Sequence, residues 1–429
     1  MKRRTLATRS LALAAALSLG LAACSTDDGG DSADGGGDSG GGDDQLVVGT
    51  LLPLTGTLAF LGPPEVAGVG LAVDEINEAG GVLGNDVTIE GADSGDSTDF
   101  NVSTQSATDL IGKDADVMIG AASSSVSLNV VDMVTEAGVM QISPANTSTT
   151  LSGYSDLFAR TAPPDSVQGS ALGSLILDSG ATKVGFLVQN EDYGTGLRDN
   201  VQQTIEAGGA EAVYGGTGAG QEFQPGESNF SAQVTDLLAQ DPDVISVIAF
   251  DETKAIVTEL VAQGWDLGGK TFFCDGNTAS YEGDFDEGTL EGVIGTIPGA
   301  EAKGEFKERL DAFYADSEGG ELTSYAYGPE SYDATILAAL AAVRGGSADG
   351  QTIADNIKSV SGADGGTEVS SFAEGVEALE AGDDIHYVGV SGTGPLNDDN
   401  DPSSAFIGVY EYDSSNVQNF TRAVEGQIG

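Results

Sequence analysis

From residue 46 onward short apolar runs alternate with amphipathic stretches, and that beat constrains the fold more than any other feature. The run LVVGTLL (46–52) is apolar almost throughout, as suits a strand buried on both faces. PPEVAGVGLAVDEINEAGG then sets Val66, Val69, Val73 and Ile76 at helical spacing, with proline at its start and Gly80-Gly81 at its stop. DVTIEGAD, NVSTQSATDLIGKD and ADVMIGAA continue the pattern, followed by a helix near 124–137 and the strand VMQIS. Strands separated by helices imply a parallel sheet covered on its faces. A second series begins near residue 165 and runs through KVGFLVQN, AEAVYGG, DVISVIAF and KTFFCDG, each strand separated from the next by a helical stretch or a glycine-rich loop. The predicted fold class is α/β, with two doubly wound parallel-sheet lobes joined near RTAPPDS (160–166). The last third, with helices around 304–316 and 329–344, is read as completing both lobes and not as a third domain.

A chain of 429 residues has ample core for two such domains. It carries 16 basic against 68 acidic residues, a formal net charge of −52. A polyanion would be repelled, so nucleic acid is excluded as a partner, and the excess is read as a solubilising surface. The first ten residues, MKRRTLATRS, are basic; LALAAALSLGLAA follows, too short for a comfortable membrane span. This order marks residues 1–23 as a signal peptide, and Leu21-Ala22-Ala23-Cys24 resembles the bacterial lipobox, which implies lipidation of Cys24. Its removal leaves 12 basic residues against 68 acidic ones. Residues 24–44, rich in Gly, Ser and Asp, read as a flexible, self-repelling tether with a reach of roughly 25 Å. The expectation is a domain held at the outer face of a bacterial cytoplasmic membrane by a lipid anchor only. Cys274 then has no intrachain partner and reads as a small buried hydrophobe.

Catalysis finds little support. The one histidine, His386, lies far in sequence from the serine clusters, and no G-x-S-x-G elbow is present. One His and one free Cys do not build a usual zinc site, and the acidic clusters 93–99 and 397–401 lack the spacing of an EF-hand loop. No glycine-rich phosphate loop carries the required K-[ST]. The chain is expected to be no enzyme and to need no cofactor.

Two consecutive strand ends, GAASSSVSLN (120–129) and QISPANTSTT (141–150), are instead paved with small polar residues. In an open parallel sheet, ligands sit outside the carboxyl ends of the strands. Ser124 and Ser125 fall near a helix N-terminus, where free N–H groups, the helix dipole and a hydroxyl can hold a carboxylate. Plain N-capping is the other reading, and one serine can do both. A Ser/Thr loop such as 145–150 is, from local sequence, equally a turn.

GTLLPLTGTLAFLG, GLAVDEINEAGGVLG, MIGAASSSVSLNVVDMVTEAGVMQISPANTSTTLS, FARTAPPDSVQG and VGFLVQNEDYGTGL, in this order, resemble the branched-chain amino-acid-binding proteins. These are type I periplasmic solute-binding proteins that serve ABC importers; the resemblance runs from about residue 46 to 345 and more weakly to the end. It implies lobe I over 45–163 plus 299–394 and lobe II over 164–298 plus 395–429, with ligand in the cleft. The three crossings would lie near 163–165, Pro298 and GPLNDD (394–399), the last more acidic than the family's usual strand and turn. It implies that Ser124 contacts the ligand, that the Ala145 carbonyl accepts from its ammonium and that Thr147 serves its carboxylate. Tyr193 would pack on the ligand, and Asp275 would pair with the ammonium, with Asp251 as competitor. Ala249-Phe250-Asp251 departs from the family, which has an aromatic contact there. Phe60, Leu61, Phe250 and Tyr325 are candidates for the apolar wall. The implied function is delivery of an amino acid, branched-chain or related, to ABC permease subunits by a monomer. The alternative is a ligand-sensing receptor, or a binder of amides, urea or aromatic acids.

Overall fold

A computed structural model describes residues 45–299, 301–302 and 304–427. The signal peptide, Cys24 and the tether expected within 1–44 lie outside the described residues.

The first lobe opens with β1 (Val47–Leu52), α1 (Gly62–Glu78), β2 (Thr88–Asp93), α2 (Phe100–Ile111), β3 (Val117–Gly120), α3 (Ser124–Glu136), β4 (Met140–Ser143) and β5 (Phe158–Arg160). Its five strands are parallel in the order β2-β1-β3-β4-β5, with Val48 opposite both Ile89 and Val117. The central strands β3 and β4 are buried at every position, whereas β2, at the edge, has a mixed polar sequence and is largely uncovered. Helix α1 turns Val69, Val73 and Ile76 into the core as its spacing predicts, and a proline in its first turn fits there because that N–H needs no helical partner.

The chain then crosses into the second lobe: α4 (Asp165–Asp178), β6 (Lys183–Val188), α5 (Asp192–Ala207), β7 (Glu211–Tyr214), α6 (Ser231–Leu238), β8 (Val244–Ile248), α7 (Thr253–Ala262), β9 (Thr271–Phe273) and β10 (Ile294–Pro298). It returns to the first lobe as α8 (Gly304–Glu318), α9 (Gly328–Gly345), α10 (Gly350–Val360), β11 (Thr367–Val369), α11 (Phe372–Ala381) and β12 (Ile385–Tyr387). Helix α9 is buried on nearly every side from Gly328 to Ala342, which explains its alanine-rich, charge-poor face pattern. Gly68 of α1 lets α9 approach closely, since a Cβ there would stand 2.3 Å from the Gly328 carbonyl oxygen. Leu396 still packs into the first lobe's core, and the chain regains the second sheet only at β13 (Ser404–Tyr412), followed by β14 (Gln418–Gln427). That sheet runs β14-β13-β10-β9-β8-β6-β7, parallel except that β13 is antiparallel to both its neighbours, β10 and β14. The molecule therefore has two doubly wound lobes with three crossings between them.

Two acids are buried where the crossings meet the first lobe. Glu65 is in the first turn of α1 and Glu330 in the first turn of α9; both Glu65 oxygens and Glu330 Oε1 lack hydrogen-bond partners. Gly299, just past β10 with φ +95°, lies against Glu330: a Cβ would stand 2.0 Å from Oε1. Burial, and then the neighbouring Glu330, hold the Glu65 carboxyl well above the usual 4.5. A carboxyl raised on folding contributes stability below its ordinary value and loses it as pH rises through the folded one. Glu65→Gln is therefore expected to raise the melting temperature relative to the native chain at pH 8, with the gap narrowing toward pH 4.5. Thermal denaturation across that range checks it; a gap that stays constant refutes the assignment.

Candidate functional site

Helix α3 brings the first group of polar residues to the cleft. Its cap is Ser123, whose hydroxyl accepts from the Val126 N–H at 3.4 Å, so capping does not occupy Ser124. Ser124 and Ser125 fill the first turn, where a helix leaves its N–H groups without internal partners. The Ser124 hydroxyl instead accepts from the Ser148 N–H at 3.2 Å and so joins the two strand-end loops. The 145–148 loop is held by a second tie: Asn146 Nδ2 donates to the Ala121 and Ala122 carbonyls at 3.0 and 2.8 Å.

Arg160, fully buried at the end of β5, supports the same loop from below. Its Nη1 donates to the Asn146 and Ser148 carbonyls at 3.2 and 2.8 Å. Its Nε and Nη2 pair with both oxygens of Asp401 at 2.6 and 2.8 Å. The unusually acidic segment before β13 thus supplies the counter-charge of a buried arginine. A second acidic stretch plays a comparable part. Asp93 accepts from the Leu54 and Thr55 N–H groups, and Asp96 accepts from the Thr57 N–H at 2.7 Å. These bonds fix the loop that carries Leu58 and Leu61. Burial raises the Asp96 carboxyl, but hydrogen bonds from Thr98 and Thr57 outweigh it and leave the group below its usual value.

The second lobe contributes Asp275, which follows β9 and is buried. Its Oδ1 accepts from Tyr193 of α5 at 2.6 Å and from Gln168 Nε2 of α4 at 2.8 Å; its Oδ2 accepts from Tyr327 at 2.5 Å. Tyr327 stands just before α9 with φ +60°, so this last bond spans the two lobes. Burial raises the Asp275 carboxyl, while the bonds from Tyr193, Tyr327 and Gln168 pull it down. Beside it Asp165, in the first turn of α4, has no partner for either oxygen. Burial first, and Asp275 second, hold it well above the usual carboxylate value, against the pull of Thr147 and Arg160.

These elements enclose a cavity of about 20 Å³ lined by Leu58, Leu61, Ala122, Ser123, Ser124, Ala145, Tyr193, Phe250, Asp275, Gly276 and Tyr327. Such a volume holds about one water molecule. Of the sequence candidates, Leu61, Ser124, Ala145, Tyr193, Phe250 and Asp275 meet on it. Phe250 stacks on Tyr193 with centroids 5.5 Å apart and supplies an aromatic face within the Ala249-Phe250-Asp251 segment. Thr147 is buried near Asp165 and does not line the cavity, and the Ser125 hydroxyl faces Asp192, whose N–H donates to it at 3.2 Å. Phe60 is half-buried at the margin of the same apolar cluster.

Two candidates are corrected. Tyr325 is not on the cavity: its hydroxyl is engaged by Lys307 at 2.6 Å and donates to Asp311 at 2.7 Å, which draws the ring outward onto α8. Asp251 is more than half exposed and paired with Lys254 at 2.9 Å, so it does not compete with Asp275. Sequence reasoning missed Tyr327, Leu58 and Gln168. Gly328-Pro329 marked the helix start beside Tyr327, but not which of Tyr325 and Tyr327 turns into the cleft. Cys274 is buried, with the Tyr193 hydroxyl 2.9 Å from its sulfur. Among the described residues no group of three or more His, Cys, Asp or Glu could hold a metal ion.

The family model of the periplasmic binding proteins matches residues 45–409. The Leu/Ile/Val-binding protein BraC3 of Rhizobium johnstonii is 30% identical over 47% of this chain and 53% of its own length, so the chain spans about half of that relative. A chemotactic signal transduction system substrate-binding protein of Halobacterium salinarum, BasB, is 25% identical over 84% of this chain and 86% of its own. Among solved structures, LivJ of Streptococcus pneumoniae in complex with isoleucine superposes with a TM-score of 0.69 at 20% identity, covering 90% of this chain and all of that one. A solute-binding protein of R. palustris in complex with benzoate gives 0.68 at 16% identity, covering 90% and 97%.

Removal of the Arg160 counter-charge tests the frame of this site. Asp401→Ala leaves a buried guanidinium unpaired and is expected to cost about 3–5 kcal/mol of stability in denaturant unfolding. A loss under about 1 kcal/mol would show that the pair carries no net weight.

Proposed function

Because this chain belongs to the periplasmic binding protein family, we propose that it is the extracytoplasmic solute-binding lipoprotein of an ABC importer, closing its lobes on a branched-chain or related amino acid. The observation that carries this reading is the convergence of Ser124 and Ala145 from one lobe with Asp275 from the other on one buried cavity. A zwitterion has two charged ends, and the cleft offers a partner for each. The N-terminal turn of α3, with its dipole and the Ser124 hydroxyl, suits the carboxylate, aided by Thr147. Asp275 and the Ala145 carbonyl suit the ammonium, because a desolvated cation needs a charged or strongly accepting partner. Tyr193, Phe250, Tyr327, Leu58 and Leu61 form the wall around the side chain.

The cavity as it stands is too small for such a ligand, so the lobes must part for entry and re-close around it. Closure places residues from both lobes on the ligand and gives the permease a form to recognise. BasB supports a second reading, in which the closed form addresses a sensor, and the benzoate-bound neighbour supports an aromatic acid as ligand. A thermal-shift screen against the twenty amino acids, small amides, urea and aromatic acids separates these ligands. The double substitution Ser124→Ala, Thr147→Ala is expected to weaken binding of the best ligand by at least ~tenfold, from the loss of hydrogen bonds to a charged group. Calorimetry with unchanged affinity rejects the site.

Lipidation of Cys24 is the remaining part of the proposal. Cys24→Ser is expected to move the protein from the membrane pellet to the soluble exported fraction; retention in the pellet rules the anchor out.

A further inference from the structure

We propose that Glu191 is a protonated clasp between the lobes, so that closing the cleft takes up a proton at this side chain. The inference rests on the opening and closing proposed above, but not on which ligand is bound.

Glu191 ends the loop after β6 and precedes α5 without capping it. It belongs to the second lobe, yet its carboxyl lies against Ser97, in the loop after β2, and Ser125, in the first turn of α3. The lobes touch here, since the next residue, Asp192, donates its N–H to the Ser125 hydroxyl at 3.2 Å. A further contact lies close by: a Cβ on Gly226 would stand 3.4 Å from the Thr98 methyl. Glu191 is only 9% exposed, and neither of its oxygens makes a hydrogen bond. The Ser97 hydroxyl, buried beside it, has no partner either.

The surrounding charges give no compensation. Asp192 adjoins Glu191 on its own chain segment. Glu252, on the loop after β8, accepts from the Gly226 N–H at 2.7 Å, and its burial raises it in turn. On the first-lobe side stands Asp96, held by Thr57 and Thr98. At the hinge Asp165 feels Glu191 as a like charge. Lys254, on the helix that follows Glu252, is taken by Asp251 and Asp284. A carboxylate at Glu191 would be desolvated among acids, whereas a neutral carboxyl can donate to one serine and accept from the other.

Burial pushes Glu191 from 4.5 up to about 8, with Ser97 and Ser125 pulling it back and Asp192 and Glu252 pushing it further. With the cleft open the group faces water and returns toward 4.5. The closed form therefore binds the extra proton between these values. Its advantage is full below 4.5, falls about tenfold per pH unit above that, and is gone by about 8.

Small-angle scattering of the full chain without ligand, at pH 6 and pH 9, tests this. The native radius of gyration is expected to rise between the two, while Glu191→Gln keeps the smaller radius at both. Circular dichroism at both pH values checks that the lobes stay folded. Ser97→Ala removes a group that lowers the carboxyl and is expected to move the opening midpoint to higher pH. A native radius that ignores pH overturns the proposal. So does the same pH response in Glu191→Gln, which would place the proton on another acid such as Asp165, or an unmoved midpoint in Ser97→Ala. Failure of the amino-acid reading would leave all three readouts untouched, because no ligand is added.

Discussion

The guanidinium of Arg160 is the interaction on which the arrangement of the cleft depends. It stands at the first crossing, receives Asp401 from the third, and spends its remaining donors on Ser152 and on the carbonyls of Asn146 and Ser148. A buried arginine is costly unless all its N–H groups are matched, and here they are matched by pieces of chain some 240 residues apart in sequence. The consequence is geometric. The loop carrying Ala145 and Thr147 cannot shift without leaving Nη1 of a buried cation short of its carbonyl acceptors, so the first lobe presents a rigid half-site. The Ser124–Ser148 and Asn146–Ala121 bonds then tie that loop to the start of α3, and the two small-residue strand ends behave as one surface.

The second half-site is held differently. Asp275 is fixed by Tyr193 and Gln168 within its own lobe, but its third donor, Tyr327, comes from across the cleft. The closed arrangement therefore relies on a few bonds between the lobes, the one from Asp192 to Ser125 among them. Each such bond is worth about 0.5–1.5 kcal/mol net, more where a charge is involved. That is small enough for a ligand, or a proton, to decide between open and closed. Apolar packing of Leu58, Leu61 and Ala122 on Tyr193 and Phe250 adds a contact that does not depend on direction.

The alternation of strands and helices carried the fold because periodicity survives without any knowledge of partners. Every strand and helix read between 46 and 274 has its counterpart at nearly the same place. The late elements α10, α11 and the β13–β14 pair were not legible: β14 is the edge strand of its sheet and β13 lies next to it, and the polar positions in both blur the apolar run that marks a buried strand. Individual site residues divide in the same way. Ser124 sits at a helix start, which the pattern locates; Ala145, Tyr193 and Asp275 also follow strands or open a helix, but it was the resemblance that named them. Tyr325 and Tyr327 are two residues apart in a loop, and nothing in periodicity says which turns inward; a left-handed backbone at Tyr327 decides it. Arg160–Asp401 was invisible for another reason, because a long-range ion pair leaves no local signature.

The electrostatics of the closed cleft bear on what it accepts. Asp275, Asp165 and Glu191 are all buried, and Asp165 feels both of the others as like charges. Arg160, the cation that Asp165 feels, is already spent on Asp401. An aromatic acid would bring one more negative charge into this field, and only the α3 terminus would meet it. In the binding mode proposed above, a zwitterion would bring its own ammonium to Asp275, where Oδ2 accepts from Tyr327 and keeps room for a second donor. Adding that positive charge also relaxes Asp165, whose carboxyl is raised in part by the charge on Asp275. On that reading, the same field that makes the empty closed cleft expensive for carboxylates would favour a ligand with an amine, and it would link ligand charge to the protonation of the acids around it.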